Sequence, residues 1–246
     1  GYKDLYAYEY RYDSRGNMVK KILPGCEVTQ YWYNQDEQMV FEQDATLRER
    51  NLHRFMLYDE FGRMVIQGVC TAPNKSGRTN HCKFTGASDS FCSSGYVIDE
   101  PSQFTNPQIE IVNYYDNYDF LDCYTKLYSN MSDSLVVEDT WNAKTYLTGR
   151  YQVASNGKGV FCVMYYDING NNTDTKAIIL DSHFISIHQD YNFTNNVVTS
   201  IKRDYCIERG KLKHQISSKL HNYYDEKTGL FKSSTLSLQP ANGLIK

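Results

Sequence analysis

The stretch Tyr6-Ala7-Tyr8-Glu9-Tyr10-Arg11-Tyr12-Asp13-Ser14-Arg15-Gly16-Asn17-Met18-Val19 decides how the rest of the chain is read. Tyr6, Tyr8, Tyr10 and Tyr12 alternate with non-aromatic residues. Strict period two places the four rings on one face of a β-strand. Asp13 opens a turn and Gly16, three residues on, suits a turn that closes in the left-handed region. Met18, Val19 and Ile22 begin a return strand, and Pro24-Gly25 ends it.

The same cycle recurs. Thr29, Tyr31 and Tyr33 alternate, then Asn34-Gln35-Asp36-Glu37 turns into Met39-Val40-Phe41. Tyr58-Asp59-Glu60-Phe61-Gly62-Arg63 is followed by Met64-Val65-Ile66. Later copies are Tyr166-Asp167-Ile168-Asn169-Gly170 and Tyr224-Asp225-Glu226-Lys227-Thr228-Gly229. Tyr191-Asn192-Phe193-Thr194-Asn195 is a weaker copy, with Asn where Asp and Gly stand elsewhere, and Asn tolerates the same turn geometry. Tyr115-Asp116 is a fragment with no glycine downstream. Anchor tyrosines are 21 residues apart from Tyr12 to Tyr33, 25 from Tyr33 to Tyr58, 25 from Tyr166 to Tyr191 and 33 from Tyr191 to Tyr224. One hairpin per period of twenty-odd residues is the signature of a β-type array, whose units must stack because a lone hairpin is marginal.

These observations predict an all-β protein, an antiparallel sheet of repeated β-hairpins, curved or spiralling, with an irregular central insert. Residues 1–67 carry the N-terminal hairpins. Residues 68–113 form the insert, rich in Gly, Ser and Pro, within which Tyr96-Val97-Ile98 and Ile109-Glu110-Ile111-Val112 suit short strands. Residues 114–246 carry the C-terminal hairpins, interrupted by a second irregular stretch from Met131 to Trp141. Leu212, Ile216 and Leu220 have helical spacing, but the repeat places a hairpin arm before Tyr224, so strand is preferred there.

Composition narrows the function. Tyrosine supplies 22 of the 246 residues and aromatic residues 14%, which argues against disorder. Mean hydropathy is −0.60, and no apolar run approaches the ~20 residues of a membrane span. Lys+Arg 26 against Asp+Glu 29 leaves −3, with no basic stripe of the kind that reads nucleic acid.

The repeated Tyr-x-Tyr-Asp-x-x-Gly-Arg/Asn-hydrophobic pattern, with Pro24-Gly25 and then Thr29-Gln30-Tyr31-Trp32-Tyr33 before the next copy, resembles the YD-repeat or Rhs family, which includes teneurins and the toxin-complex C component. Asn113-Tyr114-Tyr115-Asp116-Asn117-Tyr118-Asp119-Phe120, Leu147-Thr148-Gly149 and Tyr165-Tyr166-Asp167 are similar to runs in large bacterial Rhs-like surface proteins. The resemblance implies a spiralling sheet that forms a shell enclosing or presenting a cargo, or that takes part in adhesion. It implies a secreted or cell-surface location, with a signal expected upstream. The family's shell-closing Asp-Pro-x-Gly-Leu motif is absent from these 246 residues, and Leu238-Gln239-Pro240-Ala241-Asn242-Gly243 does not replace it. Shell closure, self-cleavage and toxicity are therefore not carried over; the expectation is a piece of shell wall, partnered by the rest of a larger polypeptide or its cargo.

The residues offer little for catalysis. His183 and His188 have opposite strand parity, so they face opposite ways. Asp181 and His183 share a face that Ser182 does not. Asp13, Asp59, Asp167 and Asp225 are committed to turns, which leaves paired-carboxylate chemistry, a glycosidase-like site in the insert included, as the weakest reading. The seven cysteines lack ligand-pair spacing, so no metal or cofactor is expected. They read mostly as free buried thiols, with one disulfide among Cys70, Cys82 and Cys92 as the other reading. Asn-x-Ser/Thr sites at Asn74, Asn130, Asn171 and Asn192 are near chance.

The repeat-defining residues are Tyr12, Asp13, Gly16, Tyr31, Tyr33, Tyr58, Asp59, Gly62, Arg63, Tyr166, Asp167, Gly170, Tyr191, Tyr224, Asp225 and Gly229. If the tyrosines point inward, Trp32 lies on the outer face, where it is the candidate contact for a glycan or protein in an adhesion module. Open edges of a truncated sheet predict dimerisation.

Overall fold

The structure is a computed structural model. It describes residues 6–71, 73, 81–87, 90–122, 143–153, 157, 159–179, 183–192, 196–209, 212–225 and 227–240. The stretch from Met131 to Trp141 and the pair Asp181-Ser182 lie outside them.

The protein is all-β. Its strands are β1 (Glu9–Tyr12), β2 (Met18–Ile22), β3 (Thr29–Tyr33), β4 (Met39–Gln43), β5 (His53–Tyr58), β6 (Met64–Thr71), β7 (Cys82–Phe84), β8 (Tyr96–Ile98), β9 (Thr105–Tyr115), β10 (Leu147–Val153), β11 (Gly159–Tyr166), β12 (Asn172–Ile179), β13 (His183–Tyr191), β14 (Val198–Arg209), β15 (Leu212–Tyr224) and β16 (Phe231–Pro240). All but β7 and β8 belong to one sheet, whose order follows the chain, with β9 beside β6. β7 and β8 form a two-stranded sheet of their own. The chain divides into two compact units, Gly1–Val112 and Asn113–Lys246, described in turn.

In the first unit the register aligns Trp32 with Phe41, Phe41 with Phe55 and Phe55 with Gly68. Directly opposed residues share a face, so this row is a strip of one face across β3 to β6. Of the stretch read as an insert, Gly68–Thr71 completes β6, and Thr105 onward is β9. The excursion between them folds back over the row. Two 3-10 turns, Phe91–Ser93 and Pro101–Gln103, bring Phe91 and Phe104 onto Phe55, with ring centroids 6.1 and 4.9 Å away, and Phe104 is 5.8 Å from Phe41. Phe55 is fully buried. Gly68 makes this fit. A Cβ there would stand 2.3 Å from the Gln108 carbonyl oxygen and 2.7 Å from the Phe55 ring.

A short helix, α1 (Ala45–Glu49), joins β4 to β5. The Asp44 side chain accepts a hydrogen bond from the Leu47 amide at 2.8 Å, which caps it, and Leu47 is its one buried residue. Five residues with one buried apolar anchor are too few to show helical periodicity, so nothing in the sequence announces this helix.

The second unit repeats the device. Register aligns Tyr151, Phe161, Ile178, Phe184 and Cys206 across β10 to β14. Phe120 stacks on Tyr114 at 4.5 Å and meets Phe161 edge-on at 5.9 Å. Gly149 lies beneath it, with space for a Cβ only 2.3 Å from the ring. Tyr118 stacks on Tyr165 at 4.8 Å and donates to the Met164 carbonyl at 3.0 Å. The span from Leu212 to Tyr224 is strand, in accord with the repeat and against the helical spacing of Leu212, Ile216 and Leu220.

Both glycines are predicted to be intolerant of even a methyl group. Gly68→Ala and Gly149→Ala should each lower unfolding free energy by about 1–3 kcal/mol, read as a lower urea midpoint with unchanged slope.

Candidate functional site

The chemistry-bearing residues gather at the hairpin ends, where each anchor tyrosine meets its turn. In the first copy the Asp13 amide donates to the Asn17 carbonyl at 2.9 Å, and the Gly16 amide to the Asp13 carbonyl at 3.2 Å. The carboxylate then fills the turn. Asp13 Oδ1 accepts from the amides of Arg15 and Asn17, both at 2.9 Å, and Oδ2 from the Asn17 side chain at 3.2 Å. Asp59 does the same with Phe61 and Arg63, at 3.0 and 2.9 Å, and Arg63 Nε returns to its Oδ2 at 2.8 Å. Asp167 does so with Asn169 and Asn171, at 2.8 and 2.9 Å, and Asn171 Nδ2 closes on Oδ2 at 2.9 Å. Asp225 accepts from Lys227 and Thr228. Asn34 uses its Oδ1 identically, toward Asp36 and Gln38, and Glu37 takes the positive φ that Gly16, Gly62, Gly170 and Gly229 take elsewhere.

These bonds favour the charged carboxylate. The Asn17 amide leads in holding Asp13 below the usual carboxylate range, and the Thr228 amide does so for Asp225. For Asp167, burial pushes upward, but the bonds from Asn171, Asn169 and Gly170 outweigh it and the net shift is downward. Each of these carboxylates thus holds its turn through at least two hydrogen bonds from within the hairpin.

The fragment at Tyr115-Asp116 is also a turn, split by a long excursion. The Asp116 amide donates to the Tyr146 carbonyl at 3.1 Å, and Asp116 Oδ1 accepts from the Thr145 amide at 2.6 Å. Thr145 supplies the positive φ, at 74°. The missing glycine is replaced by a residue some thirty positions downstream, a substitution no local pattern displays.

Each hairpin carries a second regularity that has no sequence label. Register shifts fall immediately before the anchor tyrosine: Arg11/Tyr12, Trp32/Tyr33, Leu57/Tyr58, Tyr165/Tyr166, Asp190/Tyr191 and Tyr223/Tyr224. The return strand therefore holds one extra residue: Val19, Val40, Val65, Thr173, Thr199 or Lys232. This is a β-bulge repeated once per unit.

The bulge accompanies a phenol that reaches into the preceding hairpin. Tyr33 Oη donates to the Met18 carbonyl at 3.0 Å, Tyr58 to Met39 at 2.8 Å, Tyr166 to Leu147 at 2.7 Å, Tyr191 to Asn172 at 3.1 Å and Tyr224 to Val198 at 2.8 Å. Every acceptor is the first residue of a return strand. Burial lifts the phenols of Tyr33, Tyr58, Tyr166 and Tyr191 above their ordinary range. Tyr12, the first of the series, is 59% exposed.

Trp32 is not the exposed ring that alternation suggested. It is half-buried, shares the face of Phe41 and Phe55, and tilts against His53 at 5.7 Å. The face opposite, read as the buried aromatic one, carries Tyr31 opposite Glu42 and Glu42 opposite Arg54, with an ion pair of 3.1 Å between the last two. The excursion, absent from any local pattern, decided which face became core. A cleft of about 320 Å³ lies beside the first two turns, lined by Asp13, Arg15, Tyr31, Trp32, Tyr33 and Gln35 among others.

A further polar cluster sits on β12 to β14. His188 Nδ1 is 2.9 Å from Asp174 Oδ1, and Nε2 is 3.2 Å from Asp190 Oδ1. A neutral imidazole has one N–H, so both contacts are hydrogen bonds only in the protonated ring. Burial pushes the His188 pKa down, but the bond and charge of Asp174, then Asp190, outweigh it and raise it above 6.5. Ser200 donates its hydroxyl to Asp190, not to a histidine, so no nucleophile–base pair forms there. His183 lies at the other end of β13, 6.0 Å from Tyr205, on the opposite parity.

The six described cysteines are free thiols. Burial pushes Cys70 and Cys82 up to about 12, which makes them poor nucleophiles. Among the described residues no group of three His, Cys, Asp or Glu is placed to hold a metal ion, and no helix is long and apolar enough to cross a membrane.

No family model matches the chain, and no curated protein does. Among solved structures it is similar to the one entitled "Crystal Structure of TcdB2-TccC3-TEV", at 13% identity and a TM-score of 0.24, with 93% of this chain covered. The match spans 12% of that structure's chain.

Tyr58→Phe and Tyr166→Phe, which delete only the relay hydroxyl, should each cost about 1–2 kcal/mol, whereas Tyr12→Phe should leave urea unfolding of the dilute protein unchanged. For His188, the sign follows from its raised folded-state pKa. The stabilisation is complete below the unfolded value near 6.5 and is lost as pH rises through the folded value. Proton NMR should show His188 titrating above 6.5 and Asp174→Asn moving it downward.

Proposed function

We propose that this chain is a non-enzymatic structural segment of an Rhs/YD-repeat secreted or surface protein, part of a β-shell wall that presents or encloses other parts of a larger polypeptide. The observation that carries the reading is the hairpin-to-hairpin phenol bond, made from Tyr33, Tyr58, Tyr166, Tyr191 and Tyr224. It spends the conspicuous aromatic residues on building sheet. The turn aspartates likewise accept hydrogen bonds from the backbone amides of their own turns. A chain that commits its tyrosines and aspartates to a repeating frame is organised for extent and stiffness, not for a reaction centre. The partner on this reading is the remaining polypeptide or its cargo; nucleic acid and membrane insertion are not part of it.

A second reading, a carbohydrate-binding or adhesion module, is favoured by one feature. The cleft beside the first two turns is lined by Tyr31, Trp32 and Tyr33 together with Arg15, residue types suited to stacking and hydrogen bonding a sugar.

A glycan array probed with the protein separates the two. The wall reading expects no saturable signal, and Trp32→Ala, which removes a half-buried ring packed beside His53, should reduce stability by about 1–3 kcal/mol. A saturable hit abolished by Arg15→Ala in a normally stable protein would replace the wall reading with the adhesion one.

A further inference from the structure

A chain of polar side chains crosses three strands of the second unit. Asp174 on β12 is opposite His188 on β13, and Asp190, on the same face of β13, is opposite Ser200 on β14. His188 Nδ1 lies 2.9 Å from Asp174 Oδ1 and Nε2 lies 3.2 Å from Asp190 Oδ1. The buried Ser200 donates its hydroxyl to the other oxygen of Asp190. The chain Asp174–His188–Asp190–Ser200 therefore spans the joint between two hairpins, β12 to β13, and the pairing within the second, β13 to β14.

The other ionisable groups on this face are placed by the register. Lys202 of β14 is opposite His188 but turns to Asp204, at 3.0 Å. Lys219 of β15 lies beyond Lys202, and its charge acts on Asp190. His221 of β15 is opposite Ser200, Tyr165 of β11 is opposite Asp174, and Lys176 of β12 stands one row along, opposite Ser186. Asp174 and Asp190 are the groups that touch the ring. Other joints are tied differently. Arg54 pairs with Glu42 at 3.1 Å across β4 and β5, and the Ser217 hydroxyl meets Asp204 at 2.5 Å across β14 and β15. Arginine stays charged and a serine hydroxyl neutral around pH 7, whereas imidazole changes charge there.

We propose that this chain is a proton-operated clasp: the imidazolium of His188 holds Asp174 and Asp190 together and so ties β12, β13 and β14, and the neutral ring keeps Asp174 and releases Asp190. The inference rests on the wall reading, in which the hairpin joint is the repeating element, and adds the regulation of one joint. A neutral ring has one N–H to give. The Asp174 side chain is 19% exposed and that of Asp190 52%. Asp174 is the costlier of the two to leave unbonded, so the proton stays on Nδ1. Nε2 then turns a lone pair on Asp190 Oδ1, and that carboxylate swings toward water. Burial lowers the His188 pKa, but Asp174 and then Asp190 outweigh it and raise it above 6.5. The clasp is therefore closed below the unfolded value near 6.5 and opens as pH rises through the folded value.

Hydrogen exchange of the β12–β14 amides in the wild type and in His188→Gln, compared at equal pH, tests this. The wild type should be about five-fold better protected at about pH 6, the effect of one hydrogen bond, and the ratio should shrink toward about pH 9. Asp190→Asn should move the midpoint of that profile downward, because a neutral amide no longer favours the cation. Long-range proton–nitrogen NMR spectra of the ring should show both nitrogens protonated below the midpoint and Nδ1 alone above it. A ratio that is the same at every pH, or a neutral ring protonated on Nε2, overturns the clasp. Tyr191→Phe separates this from the wall reading, since the Tyr191 phenol ties the same joint through the Asn172 carbonyl. If it lowers protection at both pH values while the His188→Gln ratio stays flat, the wall reading stands without the clasp. If Tyr191→Phe has no effect, the relay fails at this joint, and with it the element that the clasp regulates.

Discussion

The hydrogen bond from a tyrosine phenol to the first carbonyl of the preceding return strand governs this structure. A sheet pairs strands through backbone groups, which are indifferent to sequence and permit slippage by two residues. A phenol at the end of a strand removes that freedom. It reaches one carbonyl only, so it fixes each hairpin against its neighbour at a set height. In the first unit this holds from Met18 to Tyr33 and from Met39 to Tyr58, and in the second it recurs from Leu147 to Tyr166, Asn172 to Tyr191 and Val198 to Tyr224.

Two other features serve that bond. The carboxylate or amide at Asp13, Asn34, Asp59 and Asp167 ties down the turn that follows each anchor, so the return strand starts at a defined residue. The bulge before each anchor shifts the pairing by one residue at the same level. Bulges also add local twist. The three devices occur together in the copies anchored at Tyr33, Tyr58, Tyr166 and Tyr224, and a change in any one would misplace the acceptor of the next phenol.

The excursions contribute differently. Their described aromatic residues cover the array. Phe91 and Phe104 close the face around Phe55 in the first unit, and Phe120 closes it around Phe161 in the second; Gly68 leaves room for the Phe55 ring and Gly149 for the Phe120 ring. β16 is exposed along its described length. The apolar interior therefore follows the excursions, and the polar chemistry, such as His188 between Asp174 and Asp190, lies on the strands beyond them.

The sequence by itself determined what is local. Alternation placed the strands, and the Asp–Gly spacing placed the turns, because a left-handed residue three positions after a capping carboxylate is a short-range steric requirement. Tyr12, Asp13, Tyr58, Asp59, Tyr166 and Asp167 were legible for that reason. The tertiary structure decided everything that joins residues far apart. It chose which face of β3 is core, putting Trp32 rather than Tyr31 beside Phe41, because the covering rings come from residues 91 and 104. It completed the Asp116 turn with Thr145 and Tyr146. It also gave the anchor phenols their acceptors, since a hydroxyl can find any carbonyl within reach and only the stacked register of two hairpins says which one that is.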